Sequence, residues 1–100
     1  MARGQFAIQH PETGSDGSLL PIGARADIVE ALECCNTAPD HRGGDVLYGP
    51  GFEIHLPPHE DPVRQMTLSI TDGDIAWDVM FRIRKQLGWS FTDLETGRRW

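Results

Sequence analysis

Two stretches alternate apolar and polar residues with a period of two. In FEIHL, residues 52–56, Phe52, Ile54 and Leu56 fall on one side and Glu53 and His55 on the other. In QMTLSI, residues 65–70, Met66, Leu68 and Ile70 alternate with Gln65, Thr67 and Ser69. Such alternation marks strands with one buried face. Joined across 57–65, the two runs predict a hairpin with a wide loop. Pro57 and Pro58 cannot donate to a ladder, so the first strand must stop there and is expected at a sheet edge. QFAIQH, residues 5–10, alternates in the same way, with Phe6 and Ile8 opposite Gln5, Ala7 and Gln9. Trp89 and Phe91 against Ser90 and Thr92 predict a last strand.

Two other stretches repeat at the helical period. In residues 24–36, Ala24, Ile28, Ala31, Leu32 and Cys35 fall on one stripe, while Asp27, Glu30 and Glu33 fall away from it. In residues 75–88 the stripe is Ile75, Ala76, Val79, Met80, Ile83 and Leu87. Thr71 with Asp74 has the spacing of a capping box, and Asp72 competes as the cap. Gly88 is a natural helix end, and Arg82, Arg84 and Lys85 sit where the helix dipole favours cations. Residues 11–23 and 36–51 are rich in proline, glycine and polar residues and read as long loops. ETG, 95–97, reads as a turn, followed by a short returning strand or a tail.

The order strand, helix, strand, strand, helix, strand is the split βαβ arrangement. The sequence therefore predicts an α+β fold: two helices on one face of a mainly antiparallel four-stranded sheet, a βαββαβ ferredoxin-like sandwich. At 100 residues the chain is expected to form one small domain, 1–100. The opposite sheet face, built from Gln5, Ala7, Gln9, Glu53, His55, Gln65, Thr67, Ser69 and Thr71, is polar and expected to stay wet.

Charge narrows the range of partners. The net charge is −6. Residues 1–81 hold 13 acidic and 4 basic side chains, whereas 82–100 hold 2 acidic and 5 basic ones. Nucleic-acid affinity rests on neutralising phosphates with Lys and Arg. The expected open face offers neither basic nor aromatic residues, so no nucleic-acid partner is expected. No apolar run is long enough for a membrane span and no targeting segment is legible. The only cysteines, Cys34 and Cys35, are adjacent and cannot build a disulfide framework, which points to a soluble protein of the reducing cytoplasm.

Chemistry is sparse. His55, His59, Glu60 and Asp61 are the candidate metal ligands, but the two prolines between the histidines prevent a helical i, i+4 pair, so the segment reads first as a turn. Cys34 lies near a helix C-terminus, which does not activate a thiol. The glycine turns RGG and GPG lack the flanks of a phosphate loop. No catalytic residue and no cofactor are expected. Trp77 and Phe81, four apart, fall outside the core stripe. Either the loop holding Leu19, Leu20 and Ile22 covers them, or they form an aromatic contact surface, and Trp100 fits with either arrangement. The expectation is a non-enzymatic protein-interaction or regulatory module whose partner is another protein or a second copy of the chain, with contacts through these aromatics or through the edge strand 52–56. The alternative is a small-ligand or metal-binding domain using 55–61. The LYGPGFEIHLPP and DIAWDVM segments have the look of a small bacterial protein, which implies no activity.

Overall fold

The computed structural model describes residues 4–41 and 43–99. Among the described residues eight elements follow one another: β1 (Gln5–Gln9), α1 (Arg25–Glu33), β2 (Ala38–Pro39), β3 (Val46–Gly49), β4 (Phe52–His55), β5 (Gln65–Ile70), α2 (Gly73–Leu87) and β6 (Ser90–Asp93). The strands form one six-stranded sheet in the order β2-β3-β4-β5-β1-β6, antiparallel at every pairing. The fold class is α+β with two helices, as expected. The four-stranded ferredoxin-like sandwich is corrected, because β2 and β3 widen the sheet on the side of β4.

Residues 36–51, expected to be loop, supply both added strands. Val46, Leu47 and Tyr48 alternate, and Leu47 is fully buried opposite Ile54. Pro50 and Gly51 turn the chain between β3 and β4, with Gly51 at φ 79°. A Pro-Gly pair suits a tight turn because proline presets its own φ and glycine accepts a positive one. Consequently β4 is an interior strand, paired with β3 on one side and β5 on the other. The expectation of an edge at 52–56 therefore fails: Pro57 and Pro58 end the strand but do not expose it.

Register places the core on one face. Phe6 and Ile54 both pair with Leu68, Ile8 pairs with Met66 and with Phe91, and Phe52 pairs with Ile70. These residues share one buried cluster with Ile28, Leu32 and Cys35 from the α1 region and with Ala76, Val79, Met80 and Ile83 of α2. One core beneath both helices puts them on the same sheet face. Each large side chain buried there contributes about 1.5–3 kcal/mol.

The helical stripes hold with two exceptions. Ala24 and Ile75 are exposed, Ile75 by 50%. Asp72, not Thr71, caps α2: its side chain accepts the Asp74 N–H at 3.1 Å. Gly88 ends α2 at φ 73° and donates its N–H to the Arg84 carbonyl. Both sheet edges are short. β2 has two residues, one of them Pro39. The outer side of β6 is covered by the returning chain, where Asp93 N–H donates to the Arg98 carbonyl at 2.8 Å and Thr92 bridges to Arg99.

Candidate functional site

The 55–61 segment is tied into the structure residue by residue. His55 lies on the open sheet face beside Glu53, with Nε2 at 3.3 Å from its carboxylate. Glu60 accepts the backbone N–H of Arg64 at 3.0 Å, which closes the turn it stands in. Asp61 accepts the backbone N–H of Arg25 at 3.1 Å and so caps α1, whose own N-cap residue, Ala24, has no side-chain oxygen to offer. His59 adopts φ 61° at an exposed position of the turn. Among the described residues, no three His, Cys, Asp or Glu side chains gather into a group that could hold a metal ion. His55 and Glu60 do share a shallow recess of about 570 Å³ with Leu19, Arg64, Gln65 and Thr67.

The neighbouring loop locks onto the same segment. The Ile22 N–H donates to the Val63 carbonyl at 2.7 Å, and the Val63 N–H donates to the Gly23 carbonyl at 2.9 Å. The Arg25 guanidinium donates to the Pro57 carbonyl at 2.9 Å and pairs with Asp45. Loops that look independent in the sequence are thus joined around one arginine.

Two apolar residues of this loop are placed elsewhere than on Trp77 and Phe81. Leu19 lines the recess beside His55, and Ile22 packs against the core. The ring of Trp77 meets Phe6 edge-on, with centroids 5.7 Å apart and planes at 85°. Phe81 lies 6.3 Å from Trp77 at 37°. Trp77 is 37% exposed and Phe81 53%. Trp100 lies outside the described residues.

Helical geometry explains the exposure. At about 100° per residue, Asp74, Asp78, Phe81 and Lys85 fall within about 60° of one another, opposite the buried Ala76, Met80 and Ile83. Trp77 flanks this ridge on one side and Arg82 on the other. All six ridge and flank residues are exposed. The charges are ordered along it, acidic at Asp74 and Asp78 and basic at Arg82 and Lys85. A shallow groove of about 540 Å³ runs among Asp78, Phe81, Arg82, Lys85 and Gln86. The sequence pattern marks Trp77 and Phe81 as misfits. The charge order is equally legible once the ridge is projected, but a stripe defined by its apolar members hides it.

The open sheet face also differs from expectation. Tyr48 projects there from β3, paired with Glu53 and 46% exposed. It is an aromatic missing from the face expected on sequence grounds, because the proline and glycine content of 36–51 conceals β3. Gln9 donates to Gln65 at 2.8 Å and Gln5 to Ser69 at 3.5 Å, so much of the face is knitted by cross-strand amide contacts.

The cysteines are free, with Cys34 exposed and Cys35 buried. Burial pushes the Cys35 thiol above its ordinary value, the neighbouring Cys34 adds to the rise, and Arg82 opposes it. No helix among the described residues is long and apolar enough to cross a membrane. No family model matches the chain, and no curated protein or solved structure shows significant similarity to it.

Proposed function

We propose that the protein is a non-enzymatic protein-interaction module of the cytoplasm that binds through the outward side of α2. The observation that carries this reading is Phe81: a phenylalanine 53% exposed in mid-helix, directly opposite the core stripe. Aromatic rings at such positions are the type enriched at the centres of interfaces. Covering the exposed half of such a ring contributes about 0.8–1.5 kcal/mol, half the value of full burial. Trp77 adds a second ring that Phe6 already holds edge-on. A side chain ordered before binding loses less entropy on contact. Beneath both rings, α2 is packed into the core through Ala76, Val79, Met80 and Ile83, so the rings stand on an anchored helix. The free thiols fit a reducing compartment.

A small-ligand role for the recess beside His55 is the second reading. It is favoured by the grouping of His55, Glu60, Arg64, Gln65 and Thr67 around one hollow. Metal binding is the weaker form of that reading, since Asp61, Glu60 and His55 each already serve another group.

Photo-crosslinking in the cells that make the protein tests the leading reading. A benzophenone side chain at position 81 is expected to capture a discrete protein, whereas the same group at position 48 on the open sheet face captures none. Absence of any adduct from position 81, or equal capture from both positions, overturns it.

A further inference from the structure

We infer that the partner on α2 is a second copy of the same chain, docked antiparallel about a twofold axis near Phe81. This rests on the reading of α2 as the binding surface and adds the identity and orientation of what covers it.

The inference starts from the order of charge. Along the ridge the sequence runs Asp74, Asp78, Phe81, Arg82, Lys85, so one half is acidic and the other basic, with an aromatic between them. The span is about 16 Å at about 1.5 Å rise per residue. A twofold interface is isologous, so residue i faces residue j and j faces i. Antiparallel docking centred near position 80 brings Asp78 opposite Arg82 of the second copy and Asp74 opposite Lys85 and Gln86. It does so twice, once on each side of the axis, and the two Phe81 rings meet at the centre. Parallel docking would set aspartate against aspartate and is disfavoured by like-charge contact. The charge order is thus self-complementary in the antiparallel direction, which is the geometry a second copy supplies.

A helix carries charge asymmetry for its own sake, because acidic first turns and basic last turns suit its dipole. That accounts for Asp74, Arg84 and Lys85. The sequence pattern groups Arg82 with the helix-end cations, but the last turn holds only Arg84 and Lys85; Arg82 and Asp78 lie further in, where the dipole effect has fallen off. An Asp78–Arg82 pair within one helix has the favourable i, i+4 spacing. Among the described residues the ion pairs are Arg25–Asp45, His41–Asp40 and His55–Glu53, and none involves Asp74, Asp78, Arg82 or Lys85. These four charges stand on either side of an exposed aromatic; Asp78, Arg82 and Lys85 line one groove with it, and Asp74 lies one turn before Asp78. The wider chain repeats the theme, with 13 acidic against 4 basic residues before position 82 and 2 against 5 from position 82 onward.

Sedimentation equilibrium from micromolar to millimolar chain, with charge swaps, tests the inference. The wild type is expected to dimerise, and more weakly at high salt, because the pairs lie at a solvated rim. Asp78→Arg and Arg82→Asp each set like charges against each other and are expected to weaken the dimer at least about tenfold. Mixing the two single variants is the decisive step. In the mixed dimer Arg at 78 meets Asp at 82, and Arg82 meets Asp78, so a heterodimer of wild-type strength is expected from two chains that dimerise poorly alone. Circular dichroism and thermal melts confirm that both variants are folded. A wild type that stays monomeric at millimolar concentration overturns the inference. So does a dimer indifferent to either swap, or a mixture that fails to recover. Crosslinks from position 81 to a protein of different mass, with a monomeric wild type, would sink the second copy and leave the interaction module standing. Salt dependence is read on the wild type alone and so remains decisive if a variant does not fold: a dimer equally strong at high and low salt overturns the charge-ordered docking.

Discussion

Asp61 caps α1 from another loop: its Oδ1 accepts the backbone N–H of Arg25 at 3.1 Å. The helix begins after Ala24, which brings no capping oxygen of its own. Asp61 therefore does for α1 what an Asp or Ser at the cap would do locally, and it joins the turn after β4 to the start of the helix. Asp61→Ala is expected to cost about 1 kcal/mol, the usual value of a lost cap. Asp61→Asn, which keeps an accepting oxygen, is expected to cost a few tenths. Chemical denaturation measures both. The same pair separates a capping role from a metal role, since Asn would also abolish a carboxylate ligand. Millimolar zinc is expected to leave the imidazole resonances of His55 and His59 unmoved.

Gly51 holds the added hairpin onto α2. Its carbonyl accepts the N–H groups of Thr71 and Asp72 at 2.8 and 2.9 Å. A Cβ at this position would stand 2.5 Å from the Asp72 carbonyl oxygen and 2.9 Å from the Ala76 nitrogen, on backbone already at φ 79°. Gly51→Ala is expected to destabilise the protein by about 3 kcal/mol or more, through strain plus a backbone clash. Gly17 is the control. It has φ 83° and nothing within 4 Å of where a Cβ would stand, so Gly17→Ala should show the conformational cost alone, about 1 kcal/mol. Thermal or urea melts of the two variants give the difference, which measures how closely the turn is docked.

The two thiols should behave oppositely despite being neighbours. Cys34 is exposed and should react with a thiol reagent within minutes at pH 8. Cys35 is fully buried, with Sγ 3.6 Å from Gln86 Oε1, and should react only when the chain unfolds. Its thiol is raised in the folded state, first by burial. The unfolded chain therefore ionises it earlier. Below the ordinary thiol pKa of about 8.5 both states are protonated and stability is unaffected; above it, stability falls as pH rises until the folded thiol also titrates. Cys35→Ala is expected to remove that part of the alkaline loss, as melts of the two proteins from pH 7 to 10 would show.

What can be read from the sequence follows from what is local. The runs 52–56 and 65–70 alternate cleanly because one face of each strand is buried, and both are strands in the structure. Residues 46–49 are a strand for the same reason, but only Leu47 of the four is buried, and the glycines on either side suggest loop. The Pro50-Gly51 turn is the available signal, a tight connection between two alternating runs. Ile75 is exposed because it stands at the edge of the helical stripe, in the first turn of α2. The role of Asp61 is not legible at all, since its partner is 36 positions away and is a backbone N–H that any residue would offer. On the candidate surface, the misfit of Trp77 and Phe81 is a local, periodic property and therefore legible. The path of the Leu19–Ile22 loop is not, because it depends on the ladder contacts of Gly23 and Val63.

Phe91, Trp77 and Phe81 form a graded series that weighs core against surface. Phe91 is fully buried on β6 opposite Ile8. Phe91→Ala is expected to cost about 3–5 kcal/mol, combining lost transfer energy with a cavity. Trp77 is partly exposed and stacks edge-on with Phe6, so Trp77→Ala forfeits about 0.5–1.5 kcal/mol of aromatic contact together with a share of its burial. Phe81 lies on the outward ridge, and Phe81→Ala should change stability by less than about 1 kcal/mol. Alanine is also the better helix former, which works against any loss. Urea titration at a dilution where the chain is monomeric gives the intrinsic order Phe91, Trp77, Phe81. Repeating it at high concentration is the informative comparison. If α2 is an interface, bound partner stabilises the native state by mass action, and the Phe81→Ala cost should grow with protein concentration while that of Phe91→Ala does not. A Phe81 cost near that of Phe91 under dilute conditions would assign the ring to the core and remove the physical basis for a contact surface on α2.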